Sequence, residues 1–362
     1  MEKLSEKEWK AFPINAEFRM KKQGNVPTGA LVSNSILKDG MYPRIRVTSQ
    51  NNGINGFTNV SDDKNYRAYS NFISMSFLGD AFYHPYTASL DMKVHCLQYK
   101  DTELNPAMGL FTVTMAERIA FGTNYGNQLS SNDLAAKQIL LPVDDKGNPD
   151  YAYMAEYAQQ KRATMLDKYR KYIEARIVEL GELVEIPALN EKEWVEFPLN
   201  DIFTVGAGKR LETRNKIPGK RPFIGATDNG NGVTGFVGND NASKDSNVLG
   251  VNYNGAPCIA FYHPYECIFT DDVKRLHLRN YKNGKFVLLF FASLFAQQRS
   301  KYSYGYKFKE MRMLRQKLML PVDDSAGEPD YAYMEQYSKN MMLRKYKQYL
   351  EFINRQNVTE VD

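Results

Sequence analysis

Apolar positions along this chain follow two different rhythms. Ahead of LPVDD at 141–145, and again ahead of its second occurrence at 320–324, short runs of Val, Phe and Tyr are broken every few residues by Gly, Asn or Pro. That pattern predicts twisted sheet and turns with few helices. One longer apolar run in each region, residues 107–118 and 286–298, is expected to form a buried helix. Behind the Pro-Asp steps the rhythm changes. Asp150 and Asp330 are good N-caps, and neither Pro nor Gly interrupts the next two dozen residues. Long helices are expected over 151–185 and 331–357, reaching ~50 and ~40 Å at about 1.5 Å per residue, with Gly181 fraying or kinking the first.

Both helices carry an apolar stripe. Leu166, Ile173 and Leu180 recur every seven residues, widened by Tyr169, Ile177, Leu183 and Val184; in the second, Leu343 and Leu350 interleave with Tyr346 and Ile353. Each stripe needs a partner, either its own domain or the other helix, and the symmetric placement favours mutual pairing through Leu166, Tyr169, Ile173, Leu180, Leu343, Tyr346, Leu350 and Ile353. The expected division is two sheet-rich domains, 1–149 and 188–329, each followed by its helix, 150–187 and 330–362.

A duplication underlies this symmetry. EKEW at 6–9 returns at 191–194, each followed by Phe-Pro, at Phe12-Pro13 and Phe197-Pro198. NGINGF at 52–57 answers NGVTGF at 231–236, and FYHPY at 82–86 recurs at 261–265. Tyr125-Gly126 matches Tyr304-Gly305, LPVDD recurs as above, and PDYAYM at 149–154 returns at 329–334. Ordered matches at a period of half the chain indicate a tandem domain pair, since solenoid repeats have periods of about 20–50 residues.

Composition adds little. With 43% hydrophobic and 25% charged residues in 362, the chain has the make-up of a globular protein of two or three domains. Its net charge of +5 is too mild to prove a polyanionic partner. Cys96, Cys258 and Cys267 form no CxxC pair, which suggests a reducing compartment, and nothing resembles a signal peptide or a membrane span; a soluble cytoplasmic protein is expected.

Catalytic chemistry is sought without success. Gly230, Gly232 and Gly235 satisfy GxGxxG, but a strand-like FVGN follows where a dinucleotide site needs a helix, so a turn between strands is expected. There is no GxxxxGK[ST] loop, no adjacent proline pair of the kind amino-methyltransferases use, and no Pro-Asp upstream of the lone Glu8–Lys10 Glu-x-Lys. His84 and His263, flanked by aromatics and followed by proline, are read as satisfied structural histidines; the Asp pairs at 144–145 and 323–324 are read as turn and cap residues.

DNA affinity would come from Lys and Arg on phosphates, and specificity from Arg, Lys, Asn and Gln on base edges. Lys209, Arg210, Arg214, Lys216, Lys220 and Arg221 stand against the single acid Glu212, and residues 299–317 carry seven more basics interleaved with Tyr302, Tyr304, Tyr306 and Phe308. In the first copy the corresponding places hold Arg19, Lys21, Lys22, Arg44 and Arg46, then Asn124, Asn127, Gln128 and Asn132. If the copies read different sequences, identical residues serve fold, phosphate or partner, and base readers lie where the copies diverge. The candidate DNA contacts are therefore Lys21, Lys22, Arg44, Arg46, Asn127 and Gln128 in copy one. In copy two they are Lys209, Arg210, Arg214, Lys220 and Arg221, with Lys301, Tyr304, Lys307 and Lys309.

Two tandem copies, each opening on Trp with NG(I/V)xGF, a Tyr-Gly element and LPV before a long helix, resemble the specificity subunit of type I restriction-modification systems, and the extended LPVDD…PDYAYM junction also resembles the related type IIB subunits. The resemblance implies an α/β (α+β) fold of two target-recognition domains reading the halves of a split double-stranded DNA site, with the helices pairing as an antiparallel coiled coil. It implies methyltransferase and restriction partners, or one fused partner, that bring S-adenosylmethionine, Mg2+ and, in type I, ATP for adenine methylation and cleavage, with no cofactor, metal or catalytic residue in this chain. An enzyme with an unrecognised site and a pseudo-symmetric protein scaffold remain the alternatives.

Overall fold

A computed structural model describes residues 3–35, 37–302, 306–323 and 327–359, with side chains described to 355. The chain divides into two compact units, Met1–Tyr169 and Arg170–Asp362, and the division falls inside the first long helix.

In the first unit the order is β1 (Trp9–Pro13), α1 (Ile14–Glu17), β2 (Tyr42–Ile45), β3 (Ile54–Thr58), β4 (Ala68–Tyr69), β5 (Phe72–Ser76), β6 (Ala81–His84), β7 (Ala88–Leu90), β8 (Val94–Leu97), α2 (Pro106–Ile119), α3 (Ser131–Ala136), β9 (Gln138–Pro142) and the start of α4 (Tyr151–Leu180). Its sheets have the orders β1-β9, β6-β5-β8 and β3-β2-β7-β4. The second unit holds the end of α4, then β10 (Trp194–Pro198), α5 (Leu199–Ile202), β11 (Phe203–Ala207), β12 (Pro218–Ile224), β13 (Val233–Val237), β14 (Val248–Asn252), β15 (Ala260–His263), β16 (Ile268–Phe269), β17 (Val273–Leu278), α6 (Lys285–Gln297), α7 (Glu310–Arg315), β18 (Lys317–Pro321) and α8 (Tyr331–Thr359). Its sheets repeat the plan as β10-β18, β11-β17-β14-β15 and β13-β12-β16. The buried helices expected from the apolar runs are α2 and α6, which pack on β6 and β15.

The strings shared by the two copies close each domain onto its helix. The first and last strands pair antiparallel in identical register, Trp9 opposite Pro142 and Trp194 opposite Pro321. Lys7 of EKEW reaches the helix cap Asp150 at 2.8 Å, and Lys192 reaches Asp330 at 3.1 Å. Those caps accept the backbone N–H of Tyr153 and Tyr333, each at 2.9 Å, which starts α4 and α8. Trp9 stacks on Phe111, and Trp194 on Phe290, at 6.1 and 6.5 Å between ring centres. The recurrence of these residues is thus structural.

Within the second unit the end of α4 runs antiparallel to α8. Arg170 meets Asn354 at 3.4 Å, Tyr172 and Arg176 both bond Tyr346, and the Val184 N–H donates to Asn340 Oδ1 at 3.2 Å while Asn340 Nδ2 donates to the Val184 carbonyl at 2.7 Å, so numbers rise on one segment as they fall on the other. Of the expected seam, Ile173, Leu343 and Ile353 are buried, Leu166, Leu180, Tyr346 and Leu350 half-buried, and Tyr169 exposed. The first helix stops at Leu180, short of the expected 185, because Gly181 adopts φ +77° and ends it, which leaves Leu183 and Val184 outside the helical stripe.

GxGxxG proves to be a turn: Gly230–Gly232 is a single 3-10 turn running straight into β13. Asn52 and Asn231 hold left-handed φ of 51° and 56° there, and the glycines after them, at 74° and 76°, abut Phe82 and Phe261. Asp144 accepts the N–H groups of Lys146 and Asn148 as a turn residue; Asp324 lies outside the described residues.

His84 and His263 are fully buried, and desolvation pushes both down to about 4. Their environments nonetheless differ. His84 contacts the Tyr86 hydroxyl through Nδ1 and Ser74 Oγ at 2.8 Å through Nε2. His263 keeps the tyrosine, Tyr265, but its Nε2 has no partner among the described residues, because Gly250 stands where the first copy has Ser74. The expectation of a satisfied histidine therefore fails for His263. Ser74→Ala is expected to recreate that bare nitrogen in copy one and lower stability by about 1–2 kcal/mol in urea unfolding, whereas an unchanged midpoint would show that the hydroxyl is not needed.

Candidate nucleic-acid interface

In each domain a subset of the candidate DNA contacts, from distant parts of the chain, comes together at one place: Lys21, Lys22, Asn127 and Gln128 in copy one, and Lys209, Arg210 and Lys309 in copy two. In copy one, Lys21 and Lys22 lie on a turn closed by Lys21 N–H donating to the Asn25 carbonyl. Val26 N–H donates to the Ser131 carbonyl, and Asn25 donates to Ser131 Oγ at 3.4 Å, so this turn lies against the loop carrying Asn127 and Gln128. That loop is held by the Asn124–Asn127 bridge, and Gln128 accepts from Lys93 at 3.0 Å. Beneath it, buried His95 bonds the Leu129 carbonyl at 2.9 Å. Lys22, Asn127 and Gln128 are exposed; Lys21 is half-buried, and desolvation lowers its pKa.

Copy two builds the same place with charge. Lys274, on β17 where His95 stands on β8, lies opposite Ala207 and reaches Glu310 at 2.5 Å. Exposed Lys209 and Arg210 follow Ala207 by two and three residues, while Lys309 is the residue before Glu310 at the start of α7. Lys307 is half-buried, and its carbonyl accepts from Arg312; Lys301 is exposed and Tyr304 lies outside the described residues. Lys220 is exposed on β12, in the second sheet.

Several candidates are committed elsewhere. Arg44, expected as a DNA contact, is 2% exposed: it donates to the Leu90 carbonyl and Asp91 Oδ1, both at 3.0 Å, and to Ser89. It is a buried structural cation, since a guanidinium in the core persists only where such partners neutralise it. The twin strand shows Phe223 at the same register, a signal of burial that comparing the copies residue by residue would have exposed. Arg46 is 3.1 Å from the other Asp91 oxygen, Arg221 pairs with Glu266 at 2.9 Å, and Arg214, though well exposed, pairs with Glu212 at 2.8 Å. Phe57 and Phe236, the last residues of the recurring NG(I/V)xGF strings, are exposed at the same position of both copies.

Among the described residues no group of three His, Cys, Asp or Glu is placed to hold a metal, and no helix is long and apolar enough to cross a membrane. Cys258 and Cys267 are buried, with thiols pushed up to about 12 by desolvation, so neither is a poised nucleophile.

A domain that closes its first strand on its last, hands the chain to a long helix and then repeats defines a tandemly duplicated two-domain protein. The family model described as the type I restriction modification DNA specificity domain matches residues 6–183 and again 191–351. The specificity subunit S.BcgI of a type II restriction enzyme from Heyndrickxia coagulans is 37% identical over 292 residues, covering 79% of this chain and 83% of that one. The crystal structure of the type I restriction-modification S subunit from M. genitalium shares the fold, with a TM-score of 0.50 at 17% identity over 99% and 96% of the two chains. The HsdS subunit from Thermoanaerobacter tengcongensis matches at a TM-score of 0.31 and 13% identity over 96% and 91%. The chain belongs to the type I restriction-modification DNA specificity family, whose members are the non-catalytic sequence-reading subunits of restriction-modification systems and act on DNA with methyltransferase and restriction subunits.

Proposed function

We propose that each unit reads one half of a divided DNA target through the place where its two loops converge, around His95 in copy one and Lys274 in copy two, and that this chain supplies recognition without chemistry of its own. The supporting observation is the division of labour between shared and divergent residues. Shared residues are largely spent on joining strands to helix, while residues at the convergent loops differ between copies, Asn127 and Gln128 beside Lys21 and Lys22 in one and Lys209, Arg210 and Lys309 in the other. Methyl transfer and cleavage would come from partner subunits carrying S-adenosylmethionine, Mg2+ and, in a type I assembly, ATP. Identity of 37% with the specificity subunit of a type II restriction enzyme favours an assembly of that kind.

The test is equilibrium binding of the full chain to a labelled randomised duplex over a range of salt. Affinity should fall steeply with salt, and Lys209→Ala with Arg210→Ala should weaken binding and reduce the slope of log K against log salt by about two, one for each phosphate that is no longer neutralised. Affinity indifferent to salt would refute DNA reading in favour of a protein scaffold. Methylation or cleavage by the purified chain alone would refute the division between reader and catalyst.

A further inference from the structure

Arg312 stands on α7 where Asp133 stands on α3, three residues beyond the caps Lys309 and Ser130, and the exchange alters more than charge. In copy one Asp133 and Ser130 form a reciprocal cap: the Asp133 N–H donates to Ser130 Oγ at 3.1 Å, and the Ser130 hydroxyl donates to Asp133 Oδ2 at 2.6 Å. Copy two gives this cap up, since Lys309 makes no side-chain bond to the helix it begins. A favourable local interaction abandoned in one of two kindred folds marks a place where another demand prevails.

Arg312 is instead held in a fixed bearing. Its guanidinium lies 3.8 Å from the centre of the Tyr306 ring, and Nη1 donates to the Lys307 carbonyl at 2.8 Å. Tyr306 stacks on Tyr302 at 5.9 Å, and Tyr302 is moored to buried Phe308 at 4.6 Å and to Gln316 Oε1 at 2.6 Å. Since Tyr306 is exposed, the stack runs from the core to the surface. Among the described residues no carboxylate pairs with Arg312, and the one acid of the segment, Glu310, is bonded to Lys274. The stack also lies at the reading place, because Tyr306 and Lys307 precede buried Phe308 as Asn127 and Gln128 precede buried Leu129.

We infer that Arg312 is a specificity-determining residue of copy two, reading a guanine in the major groove with the donors that Lys307 leaves over. A guanidinium held flat against a ring presents parallel N–H groups, which match the O6 and N7 acceptors of guanine. A phosphate contact is the competing role. It is disfavoured because the equivalent phosphate in the other half-site would face Asp133, and because phosphates carry no sequence for divergent copies to distinguish. The inference rests on the DNA-reading function proposed above.

The experiment selects bound sequences from the labelled randomised duplex with the full wild-type chain, Arg312→Lys and Arg312→Gln, then measures affinity for the wild-type choice over a range of salt. The wild type should select a guanine at a fixed position of one half-site, and both variants should lose it while every other selected position stays. Affinity for the wild-type site should fall about 10- to 100-fold in each, with the thermal midpoint unchanged and, for Arg312→Lys, the salt slope unchanged as well. Tyr306→Leu, which removes the stack and keeps the charge, should relax the same position alone. A guanine that both Arg312 variants still select overturns this inference without touching the DNA-reading function. Weakening that is uniform across sequences and absent from Arg312→Lys overturns it too, and assigns Arg312 to a phosphate. If the wild type itself selects no sequence, the DNA-reading function falls and this assignment falls with it.

Discussion

Lowering the pH from about 7 towards 4 is expected to weaken each domain by roughly 3 kcal/mol through one buried histidine. In the unfolded chain the imidazoles of His84 and His263 take up a proton near 6.5; in the folded protein desolvation delays this to about 4. Between those values the unfolded state binds more protons than the folded state. Stability is therefore at its plateau above about 6.5 and is lost as pH falls through the window. Burial is the cause in both domains, so the missing hydroxyl at Gly250 does not spare copy two. Desolvation works to raise Asp150, but Lys7 and the Tyr153 N–H together outweigh it and hold the carboxyl below the ordinary aspartate value, so its contribution is lost as pH falls below that value, outside the window. Urea midpoints across this range would show the loss; His263→Gln should remove the share of copy two, and His84→Gln its own part of that of copy one, where desolvation also lowers the pKa of buried His95. A wild-type midpoint indifferent to acid down to pH 4.5 would contradict the assignment of both histidines as buried and neutral.

Removing the carboxylate of Asp91 is expected to cost about 3–5 kcal/mol, because it strands the Arg44 guanidinium, 2% exposed, without its counter-charge and weakens the hold on Arg46. The duplication provides the control. Where copy one has Arg44 and Asp91, copy two has Phe223 and Thr270, and the backbone there is unchanged: Asp91 N–H donates to the Ile45 carbonyl and Thr270 N–H to the Ile224 carbonyl, both at 2.9 Å. The paired substitution Arg44→Phe with Asp91→Thr is therefore expected to recover most of the loss, since an apolar replacement of a buried ion pair is often neutral or better. A double variant as unstable as Asp91→Ala would mean the ion pair does more than neutralise itself. The same measurement separates two readings of Arg44, because a DNA-contacting arginine would cost affinity without costing stability.

Copy two hides a phenylalanine where copy one hides an arginine, and that explains why the site was only partly legible beforehand. Arginine is read as exposed by default, since an unpaired charge in the core is prohibitive. Asp91, forty-seven residues away, removes the prohibition, and nothing local to Arg44 announces it. The helix boundary shows the opposite case. Gly181 was visible as a weak point, and whether it kinked or ended the helix depended on whether Val184 found an alternative partner, which Asn340 supplies.

Everything carried by short-range rhythm and by repetition was legible in the order of residues alone: the tandem domains, the buried helices α2 and α6, the capped starts of α4 and α8, and the structural nature of EKEW, LPVDD and PDYAYM. Caps, periodicity and turns act within a few residues, so they can be read from neighbours. Long-range packing settled which divergent loops stand together, joining Lys21 and Lys22 to Asn127 and Gln128 through Val26 and Ser131, and Lys209 and Arg210 to Lys309 through Lys274 and Glu310. It also settled which cations are withheld from the surface. Those pairings span about a hundred residues of chain and follow from strand order and burial, which no local pattern encodes.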